Sequence, residues 1–126
     1  MKPVAYISSR IIHLLHLDLS ADTPVYIGEI NIEHIKNRHP YEYEKYFPDI
    51  ALIISQPDYI GINPKDSSIL FVKFYHFSKD YVRVAVKPSS SKICYIKTLH
   101  CLSTCNAERY IEKGTLIPLT EIKNQV

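Results

Sequence analysis

Two hydrophobic patterns divide the chain near residue 57. Before it, apolar residues recur at helical spacing, as from Ile11 to Leu17. From Asp58 onward, aromatic and β-branched residues alternate with polar ones, which is typical of strands. Short polar turns join these strands, and a parallel return needs a crossover of roughly a dozen residues or more, so neighbouring strands should be antiparallel. The pattern therefore predicts an α+β fold.

Capping residues and prolines indicate where these helices and strands begin and end. A first helix begins after Ser8 or Ser9, a second spans 32–38 with Asn31 as its cap and ends at Pro40, and others span 50–55 and 106–113. Strands are predicted at 25–28, 59–62, 69–77, 81–87 and 92–99, and a tail rich in Leu and Ile should pack back on the fold. We expect one domain, 1–126, with N-terminal helices packed on one face of a four- to five-stranded antiparallel sheet and a short C-terminal helix.

Alternation also assigns side chains to the two faces of the sheet. The face against the helices should carry apolar residues: Leu70, Val72, Phe74, Val82, Val84 and Val86. The other face should carry cations and aromatic rings: Phe71, Lys73, Tyr75, Arg83, Lys87, Tyr95 and Lys97. Cations that neutralise phosphates among rings that stack on bases indicate binding of single-stranded RNA. The alternative is an ordinary solvated sheet face.

Composition narrows the class of protein. The 126 residues are 46% hydrophobic and 22% charged, with 15 Lys+Arg against 13 Asp+Glu, which excludes disorder and coiled coil. The longest apolar run, 50–54, is far shorter than the ~20 residues that cross a bilayer, so we expect a cytoplasmic protein. The net charge of +2 does not indicate tight non-specific RNA binding.

The three cysteines, Cys94, Cys101 and Cys105, do not suggest a disulfide framework. Together with His100 they leave a zinc site as an alternative, but no Cys-x-x-Cys pair is present, so unligated thiols are favoured. No metal site and no cofactor is predicted.

The densest polar segment runs from Glu33 to His39 and contains two imidazoles and a guanidinium. His34 and Arg38 are four residues apart and share a helix face, and His39 lies at the helix end. Imidazole can act as general acid or base near neutral pH, and Arg can hold a phosphate, so these residues suit metal-free phosphodiester cleavage. The alternative is an exposed polar helix face.

Three short motifs stand out along the chain: Tyr26-Ile27-Gly28, the segment 34–39 and Asn63-Pro64-Lys65. With them, roughly 25–118 resembles the phage-type branch of the barnase–EndoU–colicin–RelE ribonuclease superfamily. The resemblance implies metal-independent RNA cleavage, a toxin-like role for a phage or mobile-element protein, tRNA or mRNA as substrate, and an immunity or antitoxin protein as partner. It also places catalytic residues at His34, Arg38, His39, Lys73 and Thr98.

Simple alternation disagrees with the resemblance at one position. It puts Thr98 on the face opposite Lys73 and Lys87, so Thr98 joins them only if a β-bulge follows Tyr95. We therefore expect an endoribonuclease in which Tyr75, Arg83, Lys87, Tyr95 and Lys97 bind the RNA. The alternative is a non-catalytic RNA- or protein-binding module on the same fold.

Overall fold

A single sheet of seven strands dominates the computed structural model, which describes residues 2–90 and 92–119. The strands are β1 (Ala5–Ile7), β2 (Thr23–Tyr26), β3 (Tyr59–Ile62), β4 (Ile69–Tyr75), β5 (Asp80–Ser90), β6 (Ile93–Leu102) and β7 (Leu116–Pro118). Their order across the sheet is β1-β2-β6-β5-β4-β3-β7. The predicted antiparallel run β3-β4-β5-β6 is confirmed.

The sheet is larger than predicted and is not wholly antiparallel. β2 pairs parallel with β6, with Val25 opposite Cys94 and Tyr26 opposite Tyr95. These partners are distant along the chain, so the rule for short connections does not apply to them. β1 and β7 have three residues each, too few to show an alternating pattern.

The helices are α1 (Ser9–Leu14), α2 (Glu29–Arg38), α3 (Pro40–Tyr46), α4 (Ile50–Ser55) and α5 (Thr104–Glu112), with a 3-10 turn at Phe47–Asp49. Ser8 caps α1 and α4 has the predicted bounds. The predicted Asn31 cap is wrong, since Gly28 is the N-cap of α2 and Asn31 lies inside the helix. Pro40 does follow the end of α2, but it also begins α3, where its missing N–H costs nothing.

The main core lies between the sheet and the helices before β3. Val82, Val84 and Val86 are fully buried there, in one cluster with Ile35 and Ile53, which confirms their predicted orientation. For β4 the predicted faces are wrong by one residue. Phe71 belongs to this core, whereas Leu70 and Val72 lie in a second cluster covered by α5, and Phe74 packs on Tyr81. Residues 69–72 are all buried, so alternation along them carries no information about the face.

A β-bulge at Lys97 changes the phase of β6. Thr98 is paired with Ala85 but Ile96 with Val86, so Lys97 is the extra residue. The bulge predicted as the condition for Thr98 is therefore present. It places Thr98 on the sheet face of Arg83 and Lys87, which is opposite to the face of the main core. Within the described ranges, no helix has both the length and the apolar character needed to cross a membrane.

Candidate functional site

Arg83 and His100 face each other across β5 and β6 and are half-buried. Arg83 Nη2 lies 2.9 Å from His100 Nε2. A guanidinium can only donate, so Nε2 must be the acceptor and the imidazole carries its proton on Nδ1. The hydrogen bond thus fixes both the tautomer and the orientation of His100.

His39 completes a stack of two imidazoles. Its ring lies 5.1 Å from that of His100, centroid to centroid, at an interplanar angle of 22°. His39 is the single residue between α2 and α3, and this break in the helix brings it to β6. Glu42 holds the junction in place: its Oε2 accepts a 3.0 Å bond from the backbone N–H of Cys101 and lies 3.8 Å from His39 Nδ1.

Burial and charge keep His100 neutral. Burial, followed by the nearby Arg83 and His39, lowers the pKa of His100 from 6.5 to about 4. At neutral pH this imidazole is therefore an uncharged acceptor for Arg83. Burial also lowers the pKa of Arg83, but an arginine starts so high that it stays charged.

Three buried polar atoms at this place have no hydrogen-bond partner among the described residues: Arg83 Nε, Thr98 Oγ1 and His100 Nδ1. Arg83 also forms no ion pair with any described carboxylate. Leaving buried polar atoms without a hydrogen bond is costly, so these three atoms call for a partner that the described residues do not supply. We call His39, Arg83, Thr98 and His100 the Arg83 cluster.

A cleft of about 490 Å³ opens beside the Arg83 cluster. It is lined by Arg83 and Lys97 from the sheet, by Asn63 from the β3–β4 loop and by Tyr110 from α5. Arg83 lines the cleft with its half-buried guanidinium, and the Thr98 hydroxyl and the His39 imidazole belong to the same cluster. Together these groups can bind an anion and exchange a proton.

Asp66 of the β3–β4 loop is clamped by two of the predicted substrate-binding lysines. Lys97 Nζ forms an ion pair with Asp66 Oδ2, and Lys87 Nζ donates to the backbone oxygen of Asp66. Ser68 donates to Oδ1 from its N–H (3.0 Å) and its hydroxyl (2.7 Å). The bonds from Lys97 and Ser68 hold the pKa of Asp66 well below its usual range.

The structure separates the other predicted site residues from this face. Lys73 and Tyr75 were predicted on the same face as Arg83, but they lie on the opposite face of the sheet. The reason is the register of β4, in which Val72 and not Lys73 is paired with Arg83. Lys73 Nζ donates to Gln56 O at 3.0 Å, and the Tyr75 hydroxyl donates to Asp49 at 2.9 Å.

On α2, the side chains of His34 and Arg38 are exposed and make no hydrogen bond or ion pair with other residues of 2–90 and 92–119. The structure therefore brings together His39, Arg83, Lys87, Lys97 and Thr98, with Tyr95 opposite Lys87 in the sheet. Their roles remain predictions.

Sequence reasoning missed His100, Asp66 and Tyr110 as members of this site. A signal for His100 was present, because it follows Thr98 by two residues and so shares its sheet face. Asp66 lies in a loop and Tyr110 on a helix whose docking depends on the second core cluster. The pattern of neither segment could indicate that contact.

The zinc alternative finds no support in the geometry. Cys94 is buried, Cys101 is half-buried and Cys105 is exposed. In the part of the chain that the structure describes, no three His, Cys, Asp or Glu side chains come close enough to hold a metal ion.

We compared the chain with known protein families, with curated proteins and with solved structures. The model of the family described as phage-Barnase-EndoU-ColicinE5/D-RelE like nuclease3 matches residues 2–109. The chain belongs to this nuclease family. The resemblance predicted from the sequence is confirmed, and a nucleic acid is the substrate class that the family implies. The matched region contains every member of the Arg83 cluster. Neither the curated proteins nor the solved structures give a significant match.

Proposed function

We propose that the protein is an endoribonuclease that cleaves RNA without a metal ion, using the 2′-hydroxyl as nucleophile. The observation that carries the proposal is the half-buried Arg83 guanidinium, which has no carboxylate partner among the described residues and belongs to a cluster with an unpaired hydroxyl and a stacked pair of imidazoles. The nuclease family supplies the substrate class. The phosphate of RNA is the anion that would satisfy this charge.

In the proposed reaction, His39 takes the proton of the ribose 2′-hydroxyl. The 2′-oxygen forms a bond to phosphorus, the bond from phosphorus to the 5′-oxygen breaks, and an acid returns a proton to the 5′-oxygen. Arg83 and Thr98 Oγ1 donate hydrogen bonds to the non-bridging oxygens as negative charge grows on them. The products are a 2′,3′-cyclic phosphate and a 5′-hydroxyl.

His100 has a different role in this proposal. With a pKa of about 4 it is too weakly basic to take up a proton at neutral pH. It acts as a positioning residue that holds the Arg83 guanidinium through Nε2 and supports the His39 ring by stacking. This division makes His39, which is only partly buried, the group that exchanges protons.

The test is to incubate the purified protein with total RNA in the presence of EDTA and to analyse the new ends. Cleavage that leaves 2′,3′-cyclic phosphates supports the proposal. An Arg83→Met variant purified in parallel controls for contaminating ribonucleases. Intact RNA at high protein concentration would reject it and leave the non-catalytic binding module. The same proposal includes a toxin role, with tRNA or mRNA as the substrate and an immunity or antitoxin protein as the partner. It also includes a cytoplasmic location and a single domain over 1–126.

A further inference from the structure

A second cavity, distinct from the cleft at the Arg83 cluster, lies between the start of α2 and β6. It has a volume of about 730 Å³ and is lined by Ile30 and Asn31 of α2 and by Lys87, Tyr95 and Lys97 of the sheet, with Glu29 at its edge. We call it the Tyr95 groove. Sites for small organic ligands have volumes of roughly 300–1,000 Å³, so the groove is of a size that a nucleotide can occupy.

The side chains in this groove are unusually exposed for their type. Ile30 is 85% exposed and Tyr95 is 40% exposed. Tyr26 on the neighbouring strand packs against Tyr95, with ring centroids 6.0 Å apart at 41°. The bond from Asn31 Nδ2 to Lys97 O, 3.1 Å long, fixes α2 against the bulge. The groove is therefore an apolar surface that is held rigidly in place but is left open.

Lys97 connects the groove to the Arg83 cluster, because it lines both cavities. Lys87 also lines the groove, and its bond to Asp66 reaches the loop beside the cleft. A polymer that crossed both cavities would meet an apolar, aromatic surface in one and a guanidinium in the other, with lysines between them. A nucleotide has the complementary division into a flat, uncharged base and an anionic phosphate.

We infer that the Tyr95 groove binds one unpaired nucleobase next to the phosphate held by Arg83, so that the substrate is single-stranded RNA. The inference rests on the proposed function, since it takes the Arg83 cluster as the phosphate site. Tyr95 supplies the ring on which the base stacks and Ile30 covers it from α2. A base inside a duplex is stacked and paired and cannot present its face to a tyrosine, whereas a base in a single strand can.

The test uses binding without cleavage. A fluorescent oligonucleotide carrying 2′-O-methyl groups, which lack the nucleophile, is titrated by anisotropy as a single strand and as a duplex. We expect the single strand to bind at least about tenfold more tightly. Tyr95→Ala should weaken that binding by roughly 5- to 150-fold, the value of one stacked base, and Tyr95→Phe should retain it.

Two controls separate stacking from damage to the fold. Phe77→Ala removes a more exposed ring from the β4–β5 turn and should leave the affinity unchanged. Ile30→Ala removes a side chain that is almost fully exposed, so the fold should tolerate it while the affinity falls. An abasic site in the bound nucleotide should weaken binding to the parent protein and have no further effect on Tyr95→Ala.

Equal affinity for single strand and duplex, or an unchanged affinity of folded Tyr95→Ala, would overturn the inference. Its failure can be told apart from failure of the proposed function. A protein that binds single strands through Tyr95 but leaves RNA intact contradicts only the proposed cleavage. A protein that cleaves RNA while Tyr95→Ala binds normally contradicts only the base site.

Discussion

The guanidinium of Arg83 donates its 2.9 Å hydrogen bond to the neutral imidazole of His100. A carboxylate in that position would neutralise the guanidinium, whereas an imidazole orients it and leaves its charge available. An oriented, uncompensated charge in a partly buried place interacts strongly with an anion that reaches it. The pair therefore accounts for both the geometry and the electrostatics of the proposed phosphate site.

Replacing His34 of α2 and His39 of the α2–α3 junction separately tests which histidine exchanges protons. His39→Ala should lower the rate of RNA cleavage by about 10²–10⁴-fold, because it removes the acid–base group. His34→Ala is the matched control and should cleave at the parental rate, since His34 is exposed and its side chain forms no hydrogen bond or ion pair with the other described residues. The measurement is the initial rate on one RNA with folding checked by circular dichroism. A loss confined to His34→Ala would move the site along α2.

A second pair of variants tests which face of the sheet carries the proposed chemistry. Arg83→Lys keeps the charge but loses the fork that can donate to His100 and to a phosphate at once, so cleavage should fall by about 10²–10³-fold. Lys73→Met should retain activity, because Lys73 lies on the other face and bonds to Gln56. Active Arg83→Lys together with inactive Lys73→Met would place the chemistry on the helix side of the sheet.

Thr98→Val separates a functional hydroxyl from a structural one. Oγ1 is buried without a partner among the described residues, so its removal should leave the free energy of unfolding unchanged or raise it by up to about 1 kcal/mol. Cleavage should nevertheless fall, and Thr98→Ser should restore part of it. Denaturant titration and the cleavage rate are measured on the same preparations. A destabilised but fully active Thr98→Val would show that the hydroxyl serves only the fold.

The stability of the protein should depend on the titration of His100. The pKa of His100 is about 4 in the native state and ordinarily 6.5. Between these two pH values the imidazole is therefore protonated in the unfolded chain but neutral in the native state. This contribution is complete above pH 6.5 and is lost as the pH falls from 6.5 to 4, by up to about 3 kcal/mol. His100→Gln, which can still accept from Arg83, should show a smaller loss between pH 7 and pH 4.5 in denaturant titrations. Parallel curves for the two proteins would contradict the assignment.

Asp66→Asn should strengthen RNA binding. The amide keeps an oxygen for Ser68 but removes the charge that occupies Lys97, so one more cation becomes available to a phosphate. The slope of log K against log salt should become more negative by about 0.7, the value of one contact on a single strand. Glu44→Gln removes an exposed carboxylate from α3 and serves as the control. An unchanged salt slope for Asp66→Asn would mean that Lys97 does not contact RNA.

The sequence predicted the elements whose pattern is complete within a few residues. α4 and β3 have the predicted bounds, because each is a short run ended by a proline or a polar turn. β4 was assigned the wrong faces because four consecutive residues are buried, one pair in each core cluster. That error carried Lys73 and Tyr75 to the wrong side of the sheet.

Only two kinds of site residue could be predicted from the sequence: those placed by the alternation of side chains along a strand, and those in the family motif. Arg83, Lys87 and Thr98 share a face as the bulged alternation requires. The contact between His39 and His100 joins a helix junction to a distant strand, and no local pattern encodes it. The same applies to Asp66, whose loop meets Lys97 only after the strands have paired.

The parallel pairing of β2 with β6 also bears on when the proposed site can assemble during synthesis. A ribosome releases the α2–α3 junction well before β6, the strand that completes the stack and against which β2 pairs. Nascent chains that stop before residue 100 carry His39 without His100, and their Arg83 has no imidazole to orient it. The site therefore stays incomplete on a translating ribosome until β6 has left the exit tunnel.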